Sequence, residues 1–145
     1  MILIVDASVA MKWFVKETRH DEALELLLHH DRLQAPELIV AELTNVVWKK
    51  RLRREITKEQ AQTIVSAIPN YVSILYPIVL DHERALELAV FLEHPAYDCL
   101  YLACAERVGG TVVTADRTLF NTVRESSFAG LAAYLPDWVA EQGAP

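Results

Sequence analysis

Short apolar segments alternate with longer segments of helical periodicity, and this alternation constrains the fold more than any other feature of the sequence. Ile2–Val5 is apolar on both faces, which is typical of a strand in a parallel sheet covered by helices. We therefore predict an α/β fold, a three-layer sandwich whose mainly parallel central sheet of about five strands is flanked by helices. The predicted strands are Ile2–Val5, Leu33–Pro36, Tyr71–Tyr76, Thr111–Thr114 and Leu131–Tyr134.

Helices are predicted between these strands from apolar spacing and from residues that favour helix ends. Thr57 and Gln60 form a T-x-x-Q capping box, and Gly109 follows a helix as a C-cap glycine does. Ser8 and Asp81 are the expected N-caps of two further helices. The predicted helices are about Val9–Val15, Asp21–His30, Pro36–Arg53, Thr57–Ile68, Asp81–Glu93 and Tyr97–Val108, with a brief one after Asp116.

The length of 145 residues suits one domain covering residues 1–145, with about 140–145 as a tail free to fray. No apolar run approaches the roughly 20 residues that span a bilayer. Asp6 also interrupts the N-terminal apolar run too early for a signal peptide, so we expect a cytoplasmic protein. Cys99 and Cys104 share a predicted helix and point to different sides of it, which disfavours a disulfide or a zinc pair between them.

The charge distribution is uneven. A formal net charge of -6 disfavours a protein that coats nucleic acid electrostatically. However, "KKRLRR" (Lys49–Arg54) places five basic residues in six positions. This run is equally compatible with steering an RNA backbone and with a solvated helix end favoured by the helix dipole.

Two aspartates follow predicted strands. Asp6 comes directly after Ile2–Val5, and Asp116 comes two residues after Thr114. In an open parallel sheet, sites lie outside the carboxyl ends of the strands. The alternative is that each residue merely caps a helix or forms a turn, although Ser8 competes with Asp6 for the capping position.

Two further carboxylates lie in predicted helices. Glu42 shares a narrow polar stripe with Asn45 and Lys49 on a helix that is apolar around most of its circumference. Taken alone, Glu42 is better explained by a solvated face, although a polar stripe on a largely buried helix needs a partner. Asp98 lies in a first helical turn that is otherwise apolar, where the helix dipole favours an acidic residue. Burying an unpaired carboxylate there costs several kcal/mol, and a bound cation offsets that cost.

One α/β arrangement can bring all four carboxylates together. Mutually repelling carboxylates raise each other's pKa, and a hard cation such as Mg²⁺ or Mn²⁺ reverses that penalty. Asp6 and Asp98 are the principal candidate ligands, with Asp116 and Glu42 completing the set. Ser8, Asn45 and Thr114 are suited to orient the ligands or a water.

Other chemistries are disfavoured. The chain has no C-x-x-C, no H-E-x-x-H and no G-x-S-x-G, and its five histidines lie in polar or turn contexts. With only four glycines, it also lacks the glycine-rich phosphate loops of nucleotide-binding folds.

Four motifs carry a family resemblance: "LIVDASVAMKWF", "PELIVAELTNVVWK", "AYDCLYLACAERVGGTVVTADRTLF" and the final strand. Because it has these motifs in this order, the sequence resembles PIN-domain proteins and, more narrowly, the VapC-type toxins of bacterial toxin–antitoxin pairs. The resemblance implies a metal-dependent endoribonuclease that hydrolyses RNA phosphodiester bonds. Its acidic positions fall on Asp6, Glu42, Asp98 and Asp116, and its assisting positions on Ser8, Asn45 and Thr114. It further implies a small cognate antitoxin protein and a homodimer.

Two other function classes compete with this hypothesis. A receiver-like phospho-accepting domain expects paired acidic residues after the first strand and a lysine after the last; "VDAS" has one acidic residue and "LAAYLPDW" has no lysine. A non-catalytic RNA- or partner-binding PIN-like module would keep the acidic residues for stability alone. In that case metal stabilises the fold without RNA turnover.

Overall fold

The computed structural model describes residues 1–144 and contains one five-stranded sheet. The strands lie in the order β3-β2-β1-β4-β5, and all four neighbouring pairs are parallel. The predicted α/β architecture is therefore confirmed. The strands are β1 (Leu3–Val5), β2 (Leu33–Pro36), β3 (Ile74–Tyr76), β4 (Thr111–Thr114) and β5 (Ala132–Tyr134).

Helices flank the sheet, and their bounds agree broadly with those expected from sequence. The helices are α1 (Ala7–Ala10), α2 (His20–Leu27), α3 (Leu38–Leu52), α4 (Lys58–Ala67), α5 (His82–Leu92), α6 (Ala96–Val108), α7 (Arg117–Arg124) and α8 (Leu135–Gln142). The predicted first helix is interrupted, because Met11–Trp13 continues as a 3-10 turn. None of the helices in residues 1–144 is long and apolar enough to cross a membrane.

The core of the protein lies between the central strands and α6. β1 and most of α6 are inaccessible to solvent, and α6 packs against β1, β2 and β4. Because β1 is central in the sheet and apolar on both faces, it anchors the core from both sides. Cys99 and Cys104 lie in this core as free thiols, so the expectation that they form no disulfide is confirmed.

Local signals at helix ends are mostly correct. The Thr57–Gln60 capping box is present, and Gly109 ends α6 in the left-handed region at φ 70°. Asp81 is different: it occupies the N-cap position of α5 without a capping side-chain bond. Its buried carboxylate instead accepts two hydrogen bonds from Arg107, at 2.6 and 3.0 Å.

The C-terminal segment differs from expectation. Residues 140–142, predicted to fray, complete α8, a helix that the sequence reading did not include. Pro136 is compatible with this helix because its first turn needs no backbone N–H donor at that position. Pro145 lies outside the described residues.

Candidate active site

The carboxyl ends of β1 and β4 define the candidate site. After β1 the chain passes to β2 and β3 on one side and returns through β4 on the other, so β1 and β4 flank the topological switch point of the sheet. Val5 lies opposite Val113 in the register of these strands. Asp6 and Thr114 therefore follow as neighbours at the edge where open α/β sheets place their ligands.

Asp6 is buried, and its carboxylate accepts three hydrogen bonds. Ser8 Oγ donates to Asp6 Oδ1 at 2.6 Å, and Thr114 Oγ1 donates to Asp6 Oδ2 at 2.5 Å. The Val9 backbone N–H also donates to Oδ1, at 3.2 Å, so that Asp6 is the N-cap of α1. The expectation that Ser8 caps this helix is wrong: Ser8 supports Asp6, which performs the capping.

Ser8 and Thr114 connect the ends of the two strands. Ser8 Oγ accepts from the Ala115 backbone N–H at 3.1 Å, and Thr114 Oγ1 accepts from the Asp116 backbone N–H at 3.0 Å. Each hydroxyl group therefore donates to Asp6 and accepts from the segment after β4. This arrangement fixes the orientation of the Asp6 carboxylate.

Burial raises the pKa of Asp6 to about 6, because the ionised carboxylate loses its hydration. Bonds from Ser8, Thr114 and Val9 lower the pKa and offset part of this effect, whereas the charge of Asp98 raises it further. Asp6 is thus a carboxylate whose ionised form is costly in the fold and is stabilised by any cation placed beside it.

Glu42 lies in the second turn of α3 and is partly buried. Burial raises its pKa, the hydrogen bond from Tyr101 lowers it, and the charge of Asp98 raises it again. The Tyr101 hydroxyl donates to Glu42 Oε1 at 2.6 Å, and burial raises the pKa of that phenol well above its usual value. A protonated Tyr101 therefore holds the Glu42 carboxylate toward α6.

Asp98 lies in the first turn of α6, but it is not buried as its apolar neighbours suggested. Its side chain is 32% exposed, and His94 Nε2 donates to Asp98 Oδ2 at 2.7 Å. The expectation that Asp98 is buried, from which the need for a bound cation was argued, is therefore wrong; Asp98 as a metal ligand stays a prediction. Because the charge of Asp98 raises the pKa of both Asp6 and Glu42, these three carboxylates share one electrostatic environment.

Asp116 caps a helix, which is the structural role that the sequence offered as an alternative to a functional site. Its carboxylate accepts from the backbone N–H groups of Thr118 and Leu119, at 2.9 and 3.2 Å, as the N-cap of α7. Asp116 is linked to Asp6 through Thr114, because the Asp116 backbone N–H donates to the Thr114 hydroxyl and that hydroxyl donates to Asp6. Asp116 thus lies at the same edge as Asp6, held there by helix capping.

A surface cleft opens beside Glu42. It has a volume of about 320 Å³ and is lined by Leu38, Ala41, Glu42, Asn45 and Tyr97. Asn45 faces this cleft one turn after Glu42, and Tyr97 immediately precedes Asp98. The cleft gives solvent, and a ligand of modest size, access to Glu42 on α3.

The donor set fits a hydrated Mg²⁺ or Mn²⁺ ion. Within residues 1–144 no three acidic, histidine or cysteine side chains are close enough together to enclose a metal. Mg²⁺, however, usually keeps several waters and binds through one or two carboxylates. Asp6, with its costly buried charge, and Asp98, with one oxygen free of His94, are the two carboxylates that would hold such an ion.

Two residues of this site were not identified from the sequence. These residues are His94, which lies just before α6, and Tyr101, which lies within it. For Tyr101 the spacing was an available signal, because it follows Asp98 by three residues and so lies on the same face of the helix.

The sequence also matches the family model described as PIN domain, over residues 3–125. The chain belongs to the PIN domain family. It is 30% identical over 123 residues to "Ribonuclease VapC3" of Pyrobaculum aerophilum, covering 82% of this chain and 92% of that protein.

Two solved structures share the fold of this PIN domain. PAE2754 from Pyrobaculum aerophilum matches with a TM-score of 0.74 at 21% identity, covering 100% of this chain and 91% of that one. VapBC2 from Rickettsia felis, bound to a DNA fragment from its promoter, matches with a TM-score of 0.64 at 17% identity, covering 92% and 98%. The PIN membership and the fold therefore agree with the family expected from the motifs.

Proposed function

We propose that this PIN domain is a Mg²⁺- or Mn²⁺-dependent endoribonuclease and acts in the cytoplasm as the toxin of a toxin–antitoxin pair. The observation that carries the proposal is Asp6 at the switch point of the sheet, where burial raises the pKa of its carboxyl group and the charge of Asp98 raises it further. The relative named as a VapC ribonuclease supports RNA as the substrate class.

Asp6 and Asp98 would hold the cation, with Glu42 and Asp116 completing the acidic set. When bound, the cation supplies positive charge that polarises the scissile phosphate and acidifies water. Ser8 and Thr114 fix the orientation of Asp6, and His94 fixes that of Asp98. Glu42, which accepts a hydrogen bond from Tyr101 and lines the same cleft as Asn45, would orient a water or accept its proton.

The protein partner in this proposal is a small cognate antitoxin. The VapBC2 structure, which shares the fold, supports a two-protein system of this kind. We expect expression of this chain alone to arrest growth, and co-expression of the product of the adjoining reading frame to relieve the arrest. Arrest that persists during that co-expression would contradict the antitoxin assignment.

A homodimer is the proposed oligomer. The supporting observation is a row of exposed apolar side chains on and just before α5, a helix that the site does not use. These side chains are Val79, Leu80, Leu86, Val90 and Phe91. An apolar surface of this kind on one helix is typical of a site for protein association.

Asp98→Asn is the decisive test of the nuclease. The substitution keeps the size of the side chain and removes one candidate metal ligand, so we expect RNA cleavage to fall by at least about 100-fold. Cleavage of labelled RNA is measured with Mg²⁺, with Mn²⁺ and with EDTA. Thermal unfolding verifies that the variant remains folded.

The matched control is Asp21→Asn. Asp21 also lies in the first turn of a helix, and it is exposed on α2, so the control removes the same charge in the same local context. We expect it to cleave like the wild type. The nuclease proposal fails if the wild type cuts no RNA with either metal, or if Asp98→Asn cuts as fast as Asp21→Asn.

A further inference from the structure

The basic run Lys49–Arg54 at the end of α3 is only partly used by the fold. Lys50 is neutralised by Glu17 and Glu55, with N–O distances of 3.5 and 3.4 Å. Across residues 1–144, the other four cations of the run form no ion pair. A chain of net charge -6 thus concentrates unneutralised positive charge at one place.

An exposed indole lies among these cations. Trp48 is 57% exposed and Leu52 is 67% exposed. With Arg51 and Arg54 they line a surface cleft of about 340 Å³. Trp48 and Arg51 also border a second cleft, of about 380 Å³ between α3 and α4, which includes Lys58.

The same helix connects this surface to the candidate active site. Trp48 follows Glu42 by six residues, which is about 9 Å along the axis of an α-helix. Ala41, Asn45, Trp48 and Leu52 are all exposed, and their spacing places them on one side of α3. This exposed stripe therefore leads from the cleft beside Glu42 and Asn45 directly to the basic end.

We propose that Trp48 and the guanidinium groups of Arg51 and Arg54 form an RNA-binding exosite, which is built to stack one unpaired base and hold the adjoining phosphates. The inference rests on the proposed nuclease function, because it gives the RNA strand a path away from the catalytic carboxylates. Aromatic stacking combined with a positively charged groove is the usual means of binding single-stranded RNA without sequence readout. Arg suits this task because its planar group contacts phosphate through two donors.

The observations favour RNA over a protein at this surface. The large apolar side chains that are strongly exposed at this surface are one indole and one leucine, which match a single base, whereas a stable protein interface buries about 800 Å² on each partner. The two apolar residues also lie next to cations in the sequence, W-K-K-R-L-R-R. A polyanion with flat bases complements both features at once.

The binding test uses the full chain in EDTA and a fluorescein-labelled single-stranded RNA of about 12 nucleotides. We expect Trp48→Leu, which keeps an apolar side chain without an aromatic face, to weaken binding about five- to tenfold. Trp48→Phe should retain most of the affinity. Arg51→Gln and Arg54→Gln should each reduce the slope of log K against log salt by about 0.7.

Lys16→Gln is the matched control for charge. Lys16 is exposed and lies outside α3, so this variant removes one positive charge without touching the proposed surface and should keep the wild-type slope. The exosite is overturned if Trp48→Leu binds like the wild type. It is equally overturned if the two arginine variants lose no more slope than Lys16→Gln.

Cleavage kinetics with Mg²⁺ or Mn²⁺ separate this inference from the nuclease proposal. We expect Trp48→Leu to raise KM for the long RNA about five- to tenfold with kcat retained. A dinucleotide, which extends only one nucleotide to either side of the scissile bond and so stops short of Trp48, about 9 Å along α3 from Glu42, should be cut equally by both proteins. If the wild type cuts no RNA, the nuclease proposal fails; if it cuts and Trp48→Leu has an unchanged KM, only the exosite fails.

Loss of antitoxin binding by Trp48→Leu at unchanged RNA affinity assigns the surface to protein and overturns the exosite.

Discussion

Asp6 combines two roles that oppose each other electrostatically. As the N-cap of α1 it accepts a backbone N–H donor, which favours the ionised carboxylate. Its burial at the end of β1 disfavours that same ionised form and raises its pKa to about 6. The fold keeps this costly group because three donors and, in our proposal, a cation compensate for the lost hydration.

The raised pKa of Asp6 predicts how the stability of the metal-free protein changes with pH. Between the ordinary value of 3.8 and about 6 the folded protein binds more protons than the unfolded chain, so stability falls as pH rises through this window. The shift corresponds to roughly 3 kcal/mol. We expect the free energy of unfolding in EDTA, relative to that of Asp6→Asn, to fall by up to this amount between pH 4 and 7.

Asp6→Asn is the appropriate reference because asparagine caps helices as well as aspartate does and cannot ionise. Above pH 6 this variant should equal or exceed the metal-free wild type in stability. Urea denaturation of both proteins at each pH measures the difference. A difference that stays constant from pH 4 to 7 would show that Asp6 is not the responsible group.

His94 determines the orientation of the Asp98 carboxylate. Its Nε2–H donor fixes one Asp98 oxygen at 2.7 Å, and partners that orient metal ligands typically contribute 10- to 100-fold in metal affinity. We expect His94→Ala to weaken Mn²⁺ binding by about tenfold, measured by isothermal titration calorimetry, and His94→Gln to recover part of the loss. The control is His82→Ala, because His82 is an exposed histidine at the start of α5. Equal losses in both variants would contradict a role for the His94–Asp98 contact.

The junction between α6 and β4 determines how two site residues are placed relative to each other, because Asp98 lies at the start of α6 and Thr114 at the end of β4. Gly110 lies in this junction against β1, and a Cβ atom there would approach the Ile2 carbonyl oxygen to 2.7 Å. A contact that short against backbone requires the strand or the helix end to move. We expect Gly110→Ala to destabilise the fold by about 1–3 kcal/mol.

Gly130→Ala is the control for that substitution, since a Cβ atom at Gly130 has nothing within 4 Å. Thermal or urea unfolding of the two variants gives the comparison, and Gly130→Ala should remain close to the wild type. If Gly110→Ala were as stable as Gly130→Ala, the close approach of Gly110 to β1 would not contribute to the packing of this junction.

The strands and helices that the sequence predicted well are those whose signal is local. Leu33–Pro36 and Thr111–Thr114 have the predicted bounds because turn residues delimit each apolar run. By contrast, Tyr71–Tyr76 was predicted too long, since its first residues follow a 3-10 turn and only Ile74–Tyr76 pairs with β2. Pairing depends on the partner strand, which the sequence of one segment does not specify.

The candidate site was only partly predictable for the same reason. Asp6 and Asp116 were identifiable because they follow strands, whereas the contact between Tyr101 and Glu42 depends on how α6 is rotated against α3. The composition of α3 suggested burial around most of its circumference. The structure leaves Ala41 and Trp48 exposed, because no element covers that side of the helix fully.

The distribution of charged and apolar surface over the protein separates three functions. The acidic edge at β1 and β4 carries the proposed chemistry, and the basic end of α3 carries the proposed exosite. The exposed apolar side chains on α5 belong to neither. In α5, Leu86 and Val90 are four residues apart and are 61% and 72% exposed, so they lie on one face of that helix and are free to contact a second copy of the chain.

We therefore expect the protein to be a dimer that Val90→Glu converts to a monomer, because the substitution places a charge on the α5 face where apolar contact is proposed. Sedimentation equilibrium measures the mass of each species. Leu28→Glu is the matched control, since Leu28 is 76% exposed just after α2 and should leave the dimer intact. A wild-type monomer, or a Val90→Glu variant that remains dimeric, would show that the α5 face does not mediate self-association. RNA cleavage per chain by the monomeric variant then shows whether one chain alone carries a complete site.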